Sequence, residues 1–255
     1  MEHLRLERTD GILTLVLARG KANALNAAMV AEIGDALRQA EADDHVTSLV
    51  LQSASDKVFS GGFDVGEVFA YDDDTMRDFF GSFLNVLETL RLLPKPVVAA
   101  VTGHAYAGGA LLALACDARV LADGPFGFAV NEVDLGIVLP SRSLGALVAA
   151  YGPSSMRRLL AGGEVLSPGE AWRLGVATEV VEPALVRDRA RARAAALGAK
   201  PPLAFAAHKR TLSAPYASPL SFVARLEAVD EFMSFWSGPE SRARRQALVE
   251  SMRKS

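Results

Sequence analysis

Three short stretches carry residue types that together suit chemistry on a carbonyl compound. They are Ser60-Gly-Gly-Phe-Asp64, Ala105-Tyr-Ala-Gly-Gly109 and Asn131-Glu-Val-Asp134. Each glycine pair comes after an expected strand, the first with a polar loop over 53–60 between, and opens a helical pattern. Strand, glycine turn and helix in that order point unpaired backbone N–H groups at a negative ligand. Two such groups aimed at one oxygen make an oxyanion hole, and glycine leaves the backbone open to close approach. Taken singly, each glycine pair fits equally well a tight strand–helix junction in which glycine serves packing alone. Glu132 is the acid–base candidate. It follows the apolar run Phe128-Ala-Val, and a carboxylate buried among apolar groups must be paired or have its pKa raised. A raised pKa is what proton transfer near neutral pH requires. The competing reading is an exposed turn acid, with Asp134 as the neighbour for a carboxylate pair.

Other chemistries lack their residues. No Gly-Lys-Ser/Thr follows either glycine turn, and neither carries Gly-x-Gly-x-x-Gly, so neither a phosphate loop nor a dinucleotide fingerprint is present. There is no Gly-x-Ser-x-Gly elbow. Of four histidines, His104 alone lies in a candidate turn, where it reads as a positioned loop residue. No metal-ligand spacing occurs. The one cysteine, Cys116, lies in an apolar run and reads as a small buried hydrophobe. A net charge of −3 with no basic block argues against a nucleic-acid surface. The N-terminal residues show no signal core, the C-terminal residues are no peroxisomal address, and the apolar runs fall short of the ~18 residues of a membrane span. A soluble, cytoplasmic protein without membrane or nucleic-acid partners is expected.

The elements that must position these residues alternate. Residues 4–8 and 12–17, joined at Asp10-Gly11, read as a β-hairpin. Asn26 is placed to cap a helix over 27–42. Strands are expected over 47–52, 97–101, 118–122, 126–130 and 176–181, with 53–60 a polar loop. Asp72 to Thr75 is an acidic start to a helix ending near Leu92. Helices are also expected over 142–151 and 154–161, and Ser167-Pro-Gly-Glu170 is a capping box. From Pro183 onward the pattern is helical, broken near 198–202, 214–219 and 238–239. Leu220, Phe222, Val223, Leu226, Val229, Phe232, Met233, Phe235 and Trp236 form apolar faces too extensive for one solvent-facing helix. The class is α/β with largely parallel strands followed by a helical tail.

Taken in order, Asn23-Ala-Leu-Asn26, Phe59-Ser-Gly-Gly-Phe-Asp-Val65, the segment from Gly103 to Asp117, Asn131-Glu-Val-Asp-Leu-Gly136 and Ala171-Trp-Arg-Leu-Gly-Val176 resemble the crotonase family, the enoyl-CoA hydratase/isomerase superfamily. The resemblance covers nearly the whole chain. It implies a crotonase-like spiral of ββα units over residues 1–195. It also implies a helical C-terminal region over 196–255 that covers the site and builds homotrimers, or hexamers as dimers of trimers. The implied substrate is an acyl-CoA thioester, with no cofactor beyond the coenzyme A it carries. By motif position, the oxyanion-hole N–H groups belong to Phe63 and Gly108, with Gly109 beside them. The loop with Lys21, Ala22 and Ala24, together with Ser60, Gly61, Gly62, Asp64 and Val65, would hold the coenzyme A portion. Lys209 would meet one of its phosphates.

The sequence also departs from the family's hydratases, which carry two catalytic glutamates. At the position of the first stands Leu111; Glu132 matches the second. Asn-Glu-x-x-Leu-Gly-Ile most resembles Δ3,Δ2-enoyl-CoA isomerases, and Pro140 stands where a dienoyl-CoA isomerase would carry aspartate. The resemblance therefore implies an enzyme that isomerises 3-enoyl-CoA to trans-2-enoyl-CoA by a single-glutamate proton shuttle. The alternatives are a hydratase or other crotonase reaction with an unidentified second base, and a non-catalytic acyl-CoA-binding protein.

Overall fold

The computed structural model describes residues 1–213 and 222–253. Leu220 and the break at 214–219 lie outside them. The chain opens with a hairpin, β1 (Leu4–Thr9) and β2 (Ile12–Leu17), turned by Asp10 and Gly11, both at positive φ. Asn26 caps α1 (Ala27–Ala42) by accepting the Met29 N–H at 3.0 Å. Then follow β3 (Ser48–Ser53), β4 (Val58–Ser60), α2 (Val65–Val68) and α3 (Asp73–Leu92), the last capped by Asp72 accepting from Thr75 N–H at 2.8 Å. The middle of the chain holds β5 (Val97–Val101), β6 (His104–Tyr106), α4 (Gly108–Ala115), β7 (Ala118–Ala122) and β8 (Phe128–Ala129). A 3-10 turn, Glu132–Leu135, leads to α5 (Ser141–Tyr151), α6 (Pro153–Met156) and a π-helical turn, Arg157–Ala161. The capping box forms at the start of α7 (Pro168–Arg173), which precedes β9 (Glu179–Val181). After a 3-10 turn at Pro183–Leu185 the chain is helical: α8 (Val186–Gly198), α9 (Pro202–Ser213), α10 (Phe222–Trp236) and α11 (Pro239–Met252).

The strands form two sheets. The larger has the order β1-β2-β3-β5-β7-β9 and is parallel except for β1. Its interior strands are apolar without alternation because both faces are buried. Leu49, Leu51, Val97, Ala99 and Val101 face the main core. Val50, Val98, Ala100 and Val120 face the other way, against Val186, Ala190 and Ala194 of α8. The smaller sheet, β4-β6-β8, is wholly parallel. Each of its strands follows a strand of the larger sheet and leads into a helix or helical turn. Three ββα units thus repeat, the α/β architecture of the crotonase spiral.

The smaller sheet is the departure from the expected elements. Residues 53–60 hold a strand as well as a loop, and the break after Val101 contains β6. These strands are two or three residues long, too short for a period of two to register. Between β1–β9 and the tail, α10 lies on α3, with Phe80 and Phe232 stacked at 3.6 Å between ring centroids. Cys116 is buried, and burial pushes its thiol up to about 12. Among the described residues no helix is long and apolar enough to cross a membrane. Nor does any cluster of three or more His, Cys, Asp or Glu there stand ready for a metal ion.

Candidate active site

The small sheet explains why distant residues meet. Its register pairs Ser60 with Ala105, Ala105 with Phe128, and Tyr106 with Ala129. Neighbouring parallel strands lie ~5 Å apart, so the turns that leave β4, β6 and β8 emerge side by side. Those turns carry Gly61 to Phe63, Ala107 to Gly108, and Glu132.

The first two turns are in contact. A methyl group placed on Gly62 would lie 3.0 Å from Ala107 Cβ, 3.0 Å from Tyr106 O and 3.3 Å from Gly108 N. Gly62 also has φ +88°, which L side chains rarely adopt. A methyl group on Gly108 would meet the Phe63 ring at 3.0 Å. Ala107 holds φ +47°, ψ −125°, a strained conformation for a residue with a Cβ, and its N–H is fixed to Ala129 O at 2.8 Å. The following N–H, that of Gly108, begins α4 and has no protein partner among the described residues; nor has the N–H of Phe63. Gly109 does a different job. A methyl there would come within 2.5 Å of Ser60 O, so this glycine serves the close approach of α4 to β4.

The loop before α1 is stitched along the first turn. Gly61 N–H donates to Ala22 O (2.8 Å), Leu25 N–H to Gly62 O (2.7 Å) and Asp64 N–H to Leu25 O (2.9 Å). Asn23, buried and at φ +43°, fastens the loop from within: its side chain accepts from Arg19 N–H and donates to Ser53 Oγ and Phe59 O. Lys21 and Ala22 are exposed beside Gly61, and Ala24 is half-buried with its carbonyl accepting from Arg19. Ser60 is fully buried, its hydroxyl donating to Asn23 O at 2.8 Å. Asp64 caps α2 and pairs with Arg19 at 2.5 Å. Ser60 and Asp64 therefore shape the turn through protein contacts.

Phe63, Gly108, Leu111 and Glu132 line one cavity of ≈ 220 Å³, with Gly61 and Val65 at its edge. The helical tail supplies Phe232 and Leu248, and Arg244 of α11 donates to Asp134 O at 3.1 Å, fastening the tail to the turn that bears Glu132. Glu132 Oε2 is buried without a hydrogen-bond partner. Burial lifts the carboxyl from 4.5 to about 7, opposed by its own backbone N–H. Asp134 is exposed, so the two acids form no pair in this cavity. Leu111 is 3% exposed and presents an apolar wall. Among the described lining residues Glu132 is the only carboxylate.

Two further positions differ from expectation. Lys209 is buried, and its ammonium donates to Asp117 Oδ2 at 2.7 Å and Lys95 O at 3.1 Å. Its charge is committed to the protein interior, which corrects its assignment to a coenzyme A phosphate. His104 accepts from Gly127 N–H through Nδ1 at 3.0 Å and stacks on Tyr106, a scaffold role. Tyr106, Asn131, Ile137 and Leu139 also line the cavity. Tyr106 lies within the Ala105-to-Gly109 turn and Asn131 and Ile137 within the Asn-Glu-x-x-Leu-Gly-Ile phrase, but nothing in the sequence singles them out from their neighbours as lining residues.

A family model described as enoyl-CoA hydratase/isomerase matches residues 7–253. The chain belongs to that family. Carnitinyl-CoA dehydratase from Salmonella arizonae is 37% identical over 209 residues, covering 82% of this chain and 79% of its own. The family fold is matched by human mitochondrial Δ3-Δ2-enoyl-CoA isomerase, with a TM-score of 0.93 and 27% identity over 99% of this chain and 98% of that one. Enoyl-CoA hydratase EchA3 of Mycobacterium ulcerans matches with a TM-score of 0.81 and 26% identity over 92% and 99%. The chain is thus an enzyme of the crotonase superfamily, similar to relatives with different reactions.

Proposed function

We propose that this family member isomerises 3-enoyl-CoA to trans-2-enoyl-CoA. The observation that carries the reading is a cavity with two free backbone N–H groups, one carboxyl group and a leucine wall. The ionised Glu132 removes a proton from C2. The electron pair moves into the thioester carbonyl, and the N–H groups of Phe63 and Gly108 hold the resulting oxyanion. Glu132, now carrying the proton, returns it to C4, and the double bond moves from C3–C4 to C2–C3. No atom is gained or lost, and no cofactor is consumed. A positioned base contributes typically 10²–10⁴-fold, and one oxyanion donor ~10²–10³-fold.

The loop at Lys21, Ala22 and Ala24 would carry the coenzyme A portion against the Gly61 turn. Lys21 is the exposed cation there. Homotrimers, or hexamers built from them, would cover Leu203 and Leu212 of α9, which are 87% and 80% exposed; sedimentation of the purified protein tests this.

Hydration or dehydration is the second reading, favoured by the resemblance to carnitinyl-CoA dehydratase. Hydration needs a second group to hold and deprotonate water, and Leu111 offers none. Isomerisation of 3-hexenoyl-CoA and hydration of crotonyl-CoA, assayed on one preparation, separate the two. The isomerase reading requires the first to exceed the second; dominance of hydration would overturn it.

A further inference from the structure

Glu132 stands in a wall with a cavity on each side. Glu132, Ile137 and Leu139 line both the site cavity and a second one of ≈ 400 Å³, bounded by α5, α6 and the π-helical turn. Apart from Glu132, the described lining of the second cavity is apolar with one exception, Arg157. Arg157 opens the π-helical turn, which closes through Gly162 N–H to Arg157 O at 3.0 Å. Such wide turns are uncommon and cluster at functional positions.

The charge of Arg157 is unanswered. Its neighbour Arg158 is paired with Glu164 at 2.7 Å and Glu170 at 3.2 Å. The Arg157 guanidinium is exposed and has neither an ion pair nor a hydrogen bond among the described residues. It sits at the rim of a space otherwise suited to methylene groups. Glu132 reaches C2 and C4 of an enoyl group from one side of the wall. Ile137 and Leu139 belong to both linings, so carbons beyond C4 that passed them would enter the second cavity, which Arg157 lines. A methyl-terminated chain gives the guanidinium nothing to bond. A carboxylate matches its planar donors two at a time, whereas a cationic end would be repelled.

We propose that the second cavity takes the distal end of the acyl group, and that Arg157 selects acyl groups ending in a carboxylate, the mono-CoA esters of dicarboxylic acids. This rests on the acyl-CoA reading of the main site and names the substrate class within it. Arg157 is a specificity-determining residue here, remote from the bonds that change.

The experiment compares kcat/KM for 3-enoyl-CoA esters with methyl and with carboxylate ends, over a series of lengths, in wild type, Arg157→Gln and Arg157→Lys. The expected result is a preference for the carboxylate-ended ester at one length. That preference should fall about tenfold in Arg157→Gln, a charged hydrogen bond discounted for its exposed rim position, and be partly kept in Arg157→Lys. An unchanged ratio in Arg157→Gln overturns the assignment while turnover of the methyl-ended ester upholds the isomerase reading. If no ester is isomerised, the isomerase reading fails and binding decides the inference. Saturated ω-carboxyacyl-CoA must then lose affinity in Arg157→Gln relative to the plain acyl-CoA, and equal losses overturn it.

Discussion

Replacing Glu132 by glutamine tests two consequences of the same burial. The carboxyl lies near pH 7 because its surroundings disfavour the charged form. A rise from 4.5 to about 7 corresponds to roughly 3 kcal/mol. The folded pKa exceeds the unfolded one, so the folded protein keeps a proton that the unfolded chain releases. Stability from this group is therefore fully present below about pH 4.5, declines as pH rises, and levels off above about pH 7. Glutamine has no such titration. The stability of Glu132→Gln minus that of wild type should grow between pH 4.5 and pH 7.5 by up to about 3 kcal/mol. Urea unfolding across that range measures it. An amide in place of the unpartnered Oε2 adds only a cost that is independent of pH and leaves the slope intact.

Activity should move the other way. An amide cannot take the C2 proton, so isomerisation of 3-hexenoyl-CoA should fall by roughly 10²–10⁴. Acyl-CoA affinity should hold, since the N–H donors of Phe63 and Gly108 are untouched. In wild type, kcat/KM should rise with pH through about 7, because the ionised carboxyl is the active form. Full activity in the glutamine variant, or a flat wild-type profile between pH 6 and 8, would refute Glu132 as the base.

The two adjacent glycines should separate by kind of damage. Gly108→Ala presses on the Phe63 ring and should cut turnover by about 10²-fold, the scale of one lost oxyanion donor, with the fold retained by circular dichroism. Gly109→Ala drives a methyl into Ser60 O and should cost more than about 3 kcal/mol in urea unfolding, the upper range for overpacking. Leu111→Glu places a second carboxyl in the cavity; crotonyl-CoA hydration should become measurable, and an isomerase-only variant would count against leucine as the discriminating residue. Lys209→Met removes the buried ammonium from Asp117, which is itself exposed, and should destabilise by about 1.5–3 kcal/mol while leaving coenzyme A binding unchanged by calorimetry.

Legibility in the sequence followed the range of the interaction. The apolar run at Val97 to Val101 marks its strand, and the caps at Asn26, Asp72 and Ser167 form as local chemistry dictates. The family resemblance brings Phe63, Gly108 and Glu132 together, and all three line one cavity. What stayed hidden depends on contacts between distant segments. Lys209 and Asp117 are separated by 92 residues, and a lysine's charge says nothing about which carboxylate will neutralise it. Asp64 stands in a site motif, yet its carboxylate is spent on Arg19 and the α2 cap. Above all, β4, β6 and β8 carry almost no sequence pattern, because two or three residues cannot display one.

Those least legible strands are the ones that build the site. A short strand gains little from its own propensity and forms because its parallel neighbours and the packed larger sheet hold it. The same neighbours fix the spacing of the three turns, so the geometry of the proposed oxyanion hole is set by sheet register and not by the glycines themselves. Glycine permits the approach; register produces it. The strain at Ala107 fits this division. A non-glycine residue keeps φ +47° only where surrounding contacts over-determine it, and here the bond from its N–H to Ala129 ties the second turn to the strand that leads to Glu132. The proposed donor and base are therefore positioned by one hydrogen-bonded unit, in which shifting the β6–β8 pairing would move the Gly108 N–H and Glu132 together.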